Sequence, residues 1–218
     1  MNPNRMRSRL LVVTAAALLL VAWAVPAGAQ VGASKGVVDV NTAGEQALLA
    51  MPQMTPGIVK ALIGARPFAS ILDLNAFLLG QKLTQEQANA FYGRAFVHIN
   101  LNTASREEIL LVPGAGNRMA REFAEYRPWR TWAQFDKEIG KYVGADETAR
   151  LAQYGFIPIR LNDGSDADIL SIPGVGQRML REFKEYRPWK TMEQFYKEIG
   201  KYVDDKEVKR LARYVVID

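Results

Sequence analysis

The sequence predicts an all-α protein: small helical bundles in tandem, joined by short extended connectors. Three observations predict it. The first is repetition, since residues 99–143 and 159–203 carry the same residue at 29 of 45 positions at an offset of 60. The second is punctuation, because each copy sets capping residues, prolines and paired glycines at the places where helices start and stop. The third is period: Met119, Phe123 and Tyr126 fall at i, i+4 and i+7, the spacing of a buried helical stripe.

A third, diverged copy comes first, VDVNTAGEQALLAMPQMTPGIVKALIGARPF at 38–68. Its Asn41, Pro52, Arg66 and Pro67 precede Asn102, Pro113, Arg127 and Pro128 by 61 residues. The expected units are therefore residues 30–97, 98–158 and 159–218, each of roughly 60 residues, a size at which a small domain folds alone.

Within a unit, a short extended piece (VDV, INL, IRL) leads to Asn41, Asn102 or Asn162, which are good turn and cap residues. Ser105 with Glu108 matches a capping box, and Ser165 with Asp168 is a weaker version of it. A helix of about two turns follows and ends before Pro113 or Pro173, because the residue before a proline avoids helical angles. Gly114-Ala115-Gly116 and Gly174-Val175-Gly176 then form a tight hairpin into the second helix, which stops at Arg127-Pro128 or Arg187-Pro188. A third helix is expected near Thr131–Ile139 and a fourth near Asp146–Tyr154. The closing segments FVHI, FIPI and YVVI read either as short strands or as extended joins.

Composition narrows the function. The chain has 218 residues, 49% apolar and 23% charged, the balance of an ordinary folded protein. It has no cysteine, which removes disulfide scaffolds, Cys-ligated zinc and thiol nucleophiles. A single histidine, His98, leaves little for His-based metal or triad chemistry, so neither an enzyme nor a metal or other cofactor is expected. His98 itself reads as a spacer in the join FVHI, and the acidic clusters at 163–168 and 204–207 read as caps and solvated faces.

Residues 1–29 read as a signal peptide: a basic start with Arg5, Arg7 and Arg9, an apolar run from Leu10 to Val25, then Pro26 and the small residues Ala27-Gly28-Ala29. The apolar run is shorter than the ~20 residues that span a bilayer, so cleavage after Ala29 is expected, with an uncleaved anchor as the alternative. The mature protein would then be exported, to periplasm or exterior, without a membrane span. The formal charge of +5 includes those three arginines. Without them 25 basic residues face 23 acidic ones, and the units carry +1, 0 and +1.

The stretches NTASREEILLVPGAGNRMAREF and NDGSDADILSIPGVGQRMLREF resemble the helix-hairpin-helix motif, and specifically the ComEA-like family of exported competence DNA receptors. The resemblance covers the mature chain three times over, strongly in units two and three; unit one is degenerate, with Gln53-Met54-Thr55 in place of Gly-x-Gly. It implies bundles of the SAM-like type and sequence-nonspecific binding to the DNA phosphate backbone, double-stranded DNA in the first instance. It also implies that Arg118 and Arg178 hold the position of the family's phosphate-facing base, with Arg121 and Arg181 one turn later. The family pairs two hairpins in each domain; here the second region reads KEIGKYV and lacks Gly-x-Gly.

The residues themselves allow that chemistry. Two glycines let the backbone turn sharply and approach a ligand with no Cβ in the way. The amides of Gly114, Ala115 and Gly116, and of Gly174, Val175 and Gly176, would lie at a helix N-terminus, where unpaired N–H groups and the dipole favour an anion. The alternative is a plain helix connector, its arginines spent on i, i+4 pairs: Arg118–Glu122, Arg121–Glu125, Arg178–Glu182 and Arg181–Glu185. Against that, a cation in the first turn opposes the dipole. In the Glu-Tyr-Arg-Pro-Trp segments, Trp129 and Trp189 are expected in the core, as are Tyr142 and Tyr202. Two functions follow: an exported DNA-binding protein, with DNA uptake as its setting, or an extracytoplasmic scaffold that meets a protein partner in the cell envelope and no nucleic acid.

Overall fold

The computed structural model describes residues 36–217. The expected signal segment, 1–29, lies outside the described residues. Among the described residues the protein is mostly helical, with twelve helices and six two-residue strands in no closed sheet, so the all-α expectation holds. No described helix is long and apolar enough to cross a membrane.

The chain runs β1 (Val38–Asp39), α1 (Glu45–Leu49), α2 (Pro56–Ala65), α3 (Ile71–Gly80), α4 (Gln85–Tyr92) and β2 (Ala95–Phe96). The same order recurs as β3 (Ile99–Asn100), α5 (Arg106–Leu110), α6 (Asn117–Glu125), α7 (Trp132–Val143), α8 (Ala145–Ala152) and β4 (Gly155–Phe156). It recurs again as β5 (Ile159–Arg160), α9 (Asp166–Ser171), α10 (Gln177–Glu185), α11 (Met192–Ile199), α12 (Asp205–Ala212) and β6 (Val215–Val216).

Both readings of FVHI, FIPI and YVVI hold in part: Phe96, Phe156 and Val215–Val216 belong to two-residue strands, and Val97-His98 and Ile157-Pro158 are joins that follow them. Each closing strand pairs in parallel with the strand that opened its own unit: Val38 opposite Ala95, Ile99 opposite Gly155, Ile159 opposite Val215. Parallel pairing needs a long crossover, and the four helices supply it. The two strands thus tie the ends of each helical set together.

Local chemistry explains the helix starts. Ser70, Thr84, Ser105 and Ser165 each form a reciprocal capping box, with Asp73, Gln87, Glu108 and Asp168 in turn. Asn41, Asn102 and Asn162 do something else. Each side chain reaches 27 residues along the chain and closes two hydrogen bonds on one residue's backbone. Asn102 Nδ2 donates to the Trp129 carbonyl at 3.0 Å and its Oδ1 accepts the Trp129 N–H at 2.6 Å. Asn41 does the same with Phe68, and Asn162 with Trp189. These asparagines are clamps between the first loop and the turn after the second helix, not caps.

That clamp seats the tryptophans. Trp129 and Trp189 are 1% and 2% exposed, and their indole N–H groups donate to the carbonyls of Phe123 and Phe183. Truncating such a residue to alanine costs roughly 3–5 kcal/mol. The neighbouring Arg127 and Arg187 are structural as well, donating to the Ala104 and Gly164 carbonyls. The Arg-Pro peptide bonds at 66–67, 127–128 and 187–188 are cis.

The cores are not three separate ones. Units one and two share a continuous apolar core, from Val37 and Leu48 through Phe96 to Phe135 and Leu151. Unit three has its own, around Phe156, Phe183, Trp189 and Tyr214. Clefts of about 400 and 580 Å³ flank the Ile157–Pro158 join that leads into unit three.

Candidate nucleic-acid interface

The two glycines of each hairpin are there for different reasons. Gly114 and Gly174 sit at φ +80° and +82°, in the left-handed region where a Cβ is costly. A Cβ on Gly114 would also lie 2.5 Å from an Arg150 guanidinium nitrogen. The turn's positive φ favours glycine at these two. Gly116 and Gly176 are different: their φ of −84° and −109° suits any residue, and nothing lies within 4 Å of where a Cβ would point. Neither backbone angle nor packing requires glycine there.

These second glycines are the N-caps of α6 and α10, and they leave the helix ends bare. No side chain caps either helix, and neither has an acid in its first turn. Every other described helix has one or both: Thr55, Ser70, Thr84, Ser105, Thr131, Ser165, Thr191 or Asp204 as a hydrogen-bonding cap, or Glu45, Asp146 and Glu147 in the first turn. The N–H groups of Gly116, Asn117 and Arg118, and of Gly176, Gln177 and Arg178, have no partner among the described residues.

The middle residue of each hairpin needs a correction. The sequence assigns open amides to Ala115 and Val175, but each N–H donates within the turn, to the Val112 carbonyl at 2.9 Å and the Ile172 carbonyl at 3.0 Å. Their side chains are buried, 5% and 9% exposed. A tight turn closes itself with this hydrogen bond before any ligand can use it. The free amides therefore run from the second glycine into the helix rather than across the Gly-x-Gly.

The expected i, i+4 ion pairs do not form. Arg118, Arg121, Arg178 and Arg181 are exposed and make no salt bridge among the described residues. Glu122, the intended partner of Arg118, is 8% exposed and turned inward. Arg118 instead lies over the Tyr142 ring, 4.7 Å from its centroid, and Arg178 over Tyr202 at 5.9 Å. Such a face holds a guanidinium without neutralising it. Tyr142 and Tyr202 are accordingly half-buried rather than core residues. Their hydroxyls meet those of Tyr126 and Tyr186 at 2.9 and 3.0 Å. The hydrogen bond with Tyr126, then that with Glu122, pushes the Tyr142 hydroxyl pKa up, and Tyr186 and Glu182 act likewise on Tyr202.

Behind each hairpin stands a further arginine that sequence reading passes over. Arg150 makes a two-pronged bond to Glu147 and packs on Gly114. Arg210 makes the same bond to Glu207, and also donates to the Pro173 carbonyl at 2.7 Å. The repeated Arg-Leu-Ala-x-Tyr at 150–154 and 210–214 is the signal that could have found them.

Unit one keeps the turn and fills the site. Gln53 adopts φ +65° where the other units have glycine. Thr55 replaces the second glycine and accepts the Ile58 N–H at 3.3 Å. Pro56 follows with no N–H to offer. The second junction of each unit is closed to anions too: α4 and α12 start with their own caps, and α8 with Asp146 and Glu147.

His98 is not a spacer. It is 2% exposed, and its Nδ1 lies 3.1 Å from Asp39 Oδ2.

No family model matches the chain, and no curated protein or solved structure matches it.

Proposed function

We propose that this is an exported, sequence-nonspecific DNA-binding protein that holds backbone phosphates at the hairpins of units two and three. One observation carries the reading: α6 and α10 alone among the described helices begin with neither a cap nor an acid, and both follow a glycine that the fold does not need. A helix start of that kind attracts an anion, worth about 0.3–1 kcal/mol at an exposed site. Arg118 and Arg121, or Arg178 and Arg181, stand unpaired on the same helix and supply the charge that amides lack. Such groups position a duplex without reading its bases. The resemblance to the ComEA-like family points the same way and makes DNA uptake the setting.

Near-balanced total charge does not oppose this. Counterion release depends on cations at the contact, and four exposed arginines predict a log–log salt slope of about −3 to −4. Unit one fits the scaffold reading for itself alone, since Thr55 and Pro56 occupy its helix start.

The test is Gly116→Asp with Gly176→Asp. Aspartate is a preferred N-cap, so each substitution supplies the missing cap and is expected to leave the fold as stable or slightly more so. It also puts an anion where the phosphate would lie. Fluorescence anisotropy with a labelled duplex at two salt concentrations should show micromolar, salt-sensitive binding that the double variant loses. Equal binding by the folded double variant, or none by the unaltered protein at low salt, overturns the reading.

A further inference from the structure

The two hairpins differ in what stands behind them. The nearest neighbours of Gly114 belong to unit two itself, Arg150 and Glu147. Gly174 touches another unit: a Cβ there would lie 3.3 Å from Thr42 Cγ2 of unit one and 3.1 Å from an Arg210 nitrogen. Pro173 and Ser171 line a cleft of about 410 Å³ together with Val37, Asp39, Thr42 and His98.

At the floor of this junction is a buried polar cluster. Asp39 is 6% exposed, His98 2%, Arg210 4% and Tyr214 fully buried. One carboxylate oxygen of Asp39 meets His98 Nδ1 at 3.1 Å and accepts the Tyr214 hydroxyl at 3.2 Å; the other accepts the Asn41 N–H at 2.9 Å. Arg213 donates to the His98 carbonyl at 3.0 Å. Arg210 lies over the Tyr214 ring, 6.0 Å from its centroid, and reaches the Pro173 carbonyl that opens the hairpin. A continuous run of hydrogen bonds and ring contact thus leads from unit one's first strand to unit three's hairpin. Burial by itself pushes the Asp39 carboxyl up, but the hydrogen bond and charge of His98, with Arg210 and the Asn41 N–H, hold it below the usual carboxylate range. The cluster therefore keeps a negative charge facing Arg210.

Among the described residues no such cluster serves unit two. The residue equivalent to Asp39 is Asn100 in β3 and Arg160 in β5, and units one and two are joined through a common apolar core. Unit three, with a separate core and clefts beside its Ile157–Pro158 join, relies on the polar junction.

We infer that Asp39, fixed by His98 and Tyr214 and acting through Arg210, is a positioning residue for unit three's hairpin, so that unit one serves the second binding site while having none of its own. The effect on DNA rests on the proposed function; the effect on the hairpin does not.

Two single-hairpin proteins separate these. Gly176→Asp leaves only unit two's hairpin open, and Gly116→Asp only unit three's. Asp39→Asn is added to each, and duplex affinity is measured beside hydrogen exchange at the hydrogen-bonded amides of the two hairpins, Ala115 with Ala120 and Val175 with Leu180. Asp39→Asn is expected to weaken the unit-three protein roughly tenfold, to speed exchange at Val175 and Leu180 alone, and to leave the unit-two protein unchanged. Equal losses in both proteins, or no change in affinity and exchange in either, overturns the inference. If neither single-hairpin protein binds duplex, the DNA reading fails and exchange decides: faster exchange confined to Val175 and Leu180 upholds the positioning role, and unaltered exchange overturns it. Should Asp39→Asn not fold, Tyr214→Phe removes one hydroxyl from the same carboxylate and is read by the same comparison.

Discussion

Unit one and units two and three share a backbone at the hairpin and differ in what they leave uncovered. Gln53 at φ +65° follows the path of Gly114 and Gly174, and Thr55 stands where Gly116 and Gly176 stand. The turn therefore survives without either glycine, and open helix ends are a feature separate from the fold. The first strands differ in the same spirit. Asp39 and Asn100 each take the N–H two residues on, at 2.9 Å, but Asp39 also receives His98 and Tyr214, while Arg160 pairs with Asp163. Unit one has a closed hairpin and the junction; units two and three have open hairpins and no junction of their own.

The largest effect is expected at that junction. Removing one member of a buried ionic cluster costs about 3–5 kcal/mol, so Asp39→Ala should lower unfolding free energy by about that much in denaturant titrations. Acid should act through the same group. The folded pKa of Asp39 lies below its ordinary value, so its contribution is complete above roughly pH 4 and is lost as pH falls through the lowered pKa. The groups facing it are His98 on the join between units one and two, Tyr214 and Arg210 in unit three, and Arg66 in unit one, itself lowered by burial. Circular dichroism at descending pH should show an acid transition that Asp39→Asn loses. An unchanged transition would assign it to other carboxylates.

Next in size is the contrast between the two glycines. Gly114→Ala and Gly174→Ala each place a Cβ at positive φ, a cost of roughly 1–2 kcal/mol, with Arg150 or Arg210 crowding it. Gly116→Ser and Gly176→Ser should change stability by less than about 0.5 kcal/mol or raise it slightly, since serine has no strain at these angles and caps a helix at least as well as glycine. Gln53→Gly runs the other way and should stabilise the protein by up to about 1 kcal/mol. Thermal unfolding of the five variants checks the ranking, and equal costs at first and second glycines would erase the distinction.

Much of this is legible in the sequence because it is local. The offset of 60 or 61 locates the units, Ser105 and Ser165 announce their capping boxes, and Trp129 and Trp189 declare themselves as core by recurring beside Arg-Pro. The parts that are not legible depend on distant partners. Asn102 looks like a turn residue until Trp129, 27 positions on, closes on it. Asp39 and His98 lie 59 residues apart, and Tyr214 lies 175 from Asp39, so no spacing rule joins them. Arg118 has Glu122 at the right spacing, but the Tyr142 ring and burial of the acid take both out of that pairing. The Gly-x-Gly does form a turn, while the turn's own hydrogen bond moves the free amides onward into the helix.

The arginines sharpen the comparison further. Arg118→Gln and Arg178→Gln, made singly, should each reduce the salt slope of duplex binding by about 0.9 and lower affinity severalfold at moderate salt. Lys60, the exposed cation on α2 of unit one, should shift neither when changed to Gln. Equal shifts at Lys60 and Arg118 would indicate diffuse attraction in place of two built sites.

The smallest effect is the most pointed, because it asks unit one to acquire what it lacks. Thr55→Gly with Pro56→Asn reproduces the Gly-Asn of residues 116–117 on a turn that already has the right path. Exchanging a threonine cap for glycine costs only a few tenths of a kcal/mol, and the asparagine restores an N–H that Pro56 withholds. α2 brings no arginine to its first turn, so the new site would have amides and dipole alone. At about 0.3–1 kcal/mol for an anion on such a helix end, the gain in duplex affinity should be roughly two- to fivefold, with little change in salt slope since no cation is added. Adding Gly57→Arg, the counterpart of Arg118, should then steepen the slope by about 0.9. If both changes leave affinity and slope where they were, an open helix end is insufficient, and the tyrosine-backed arginines of units two and three would have to supply most of the grip.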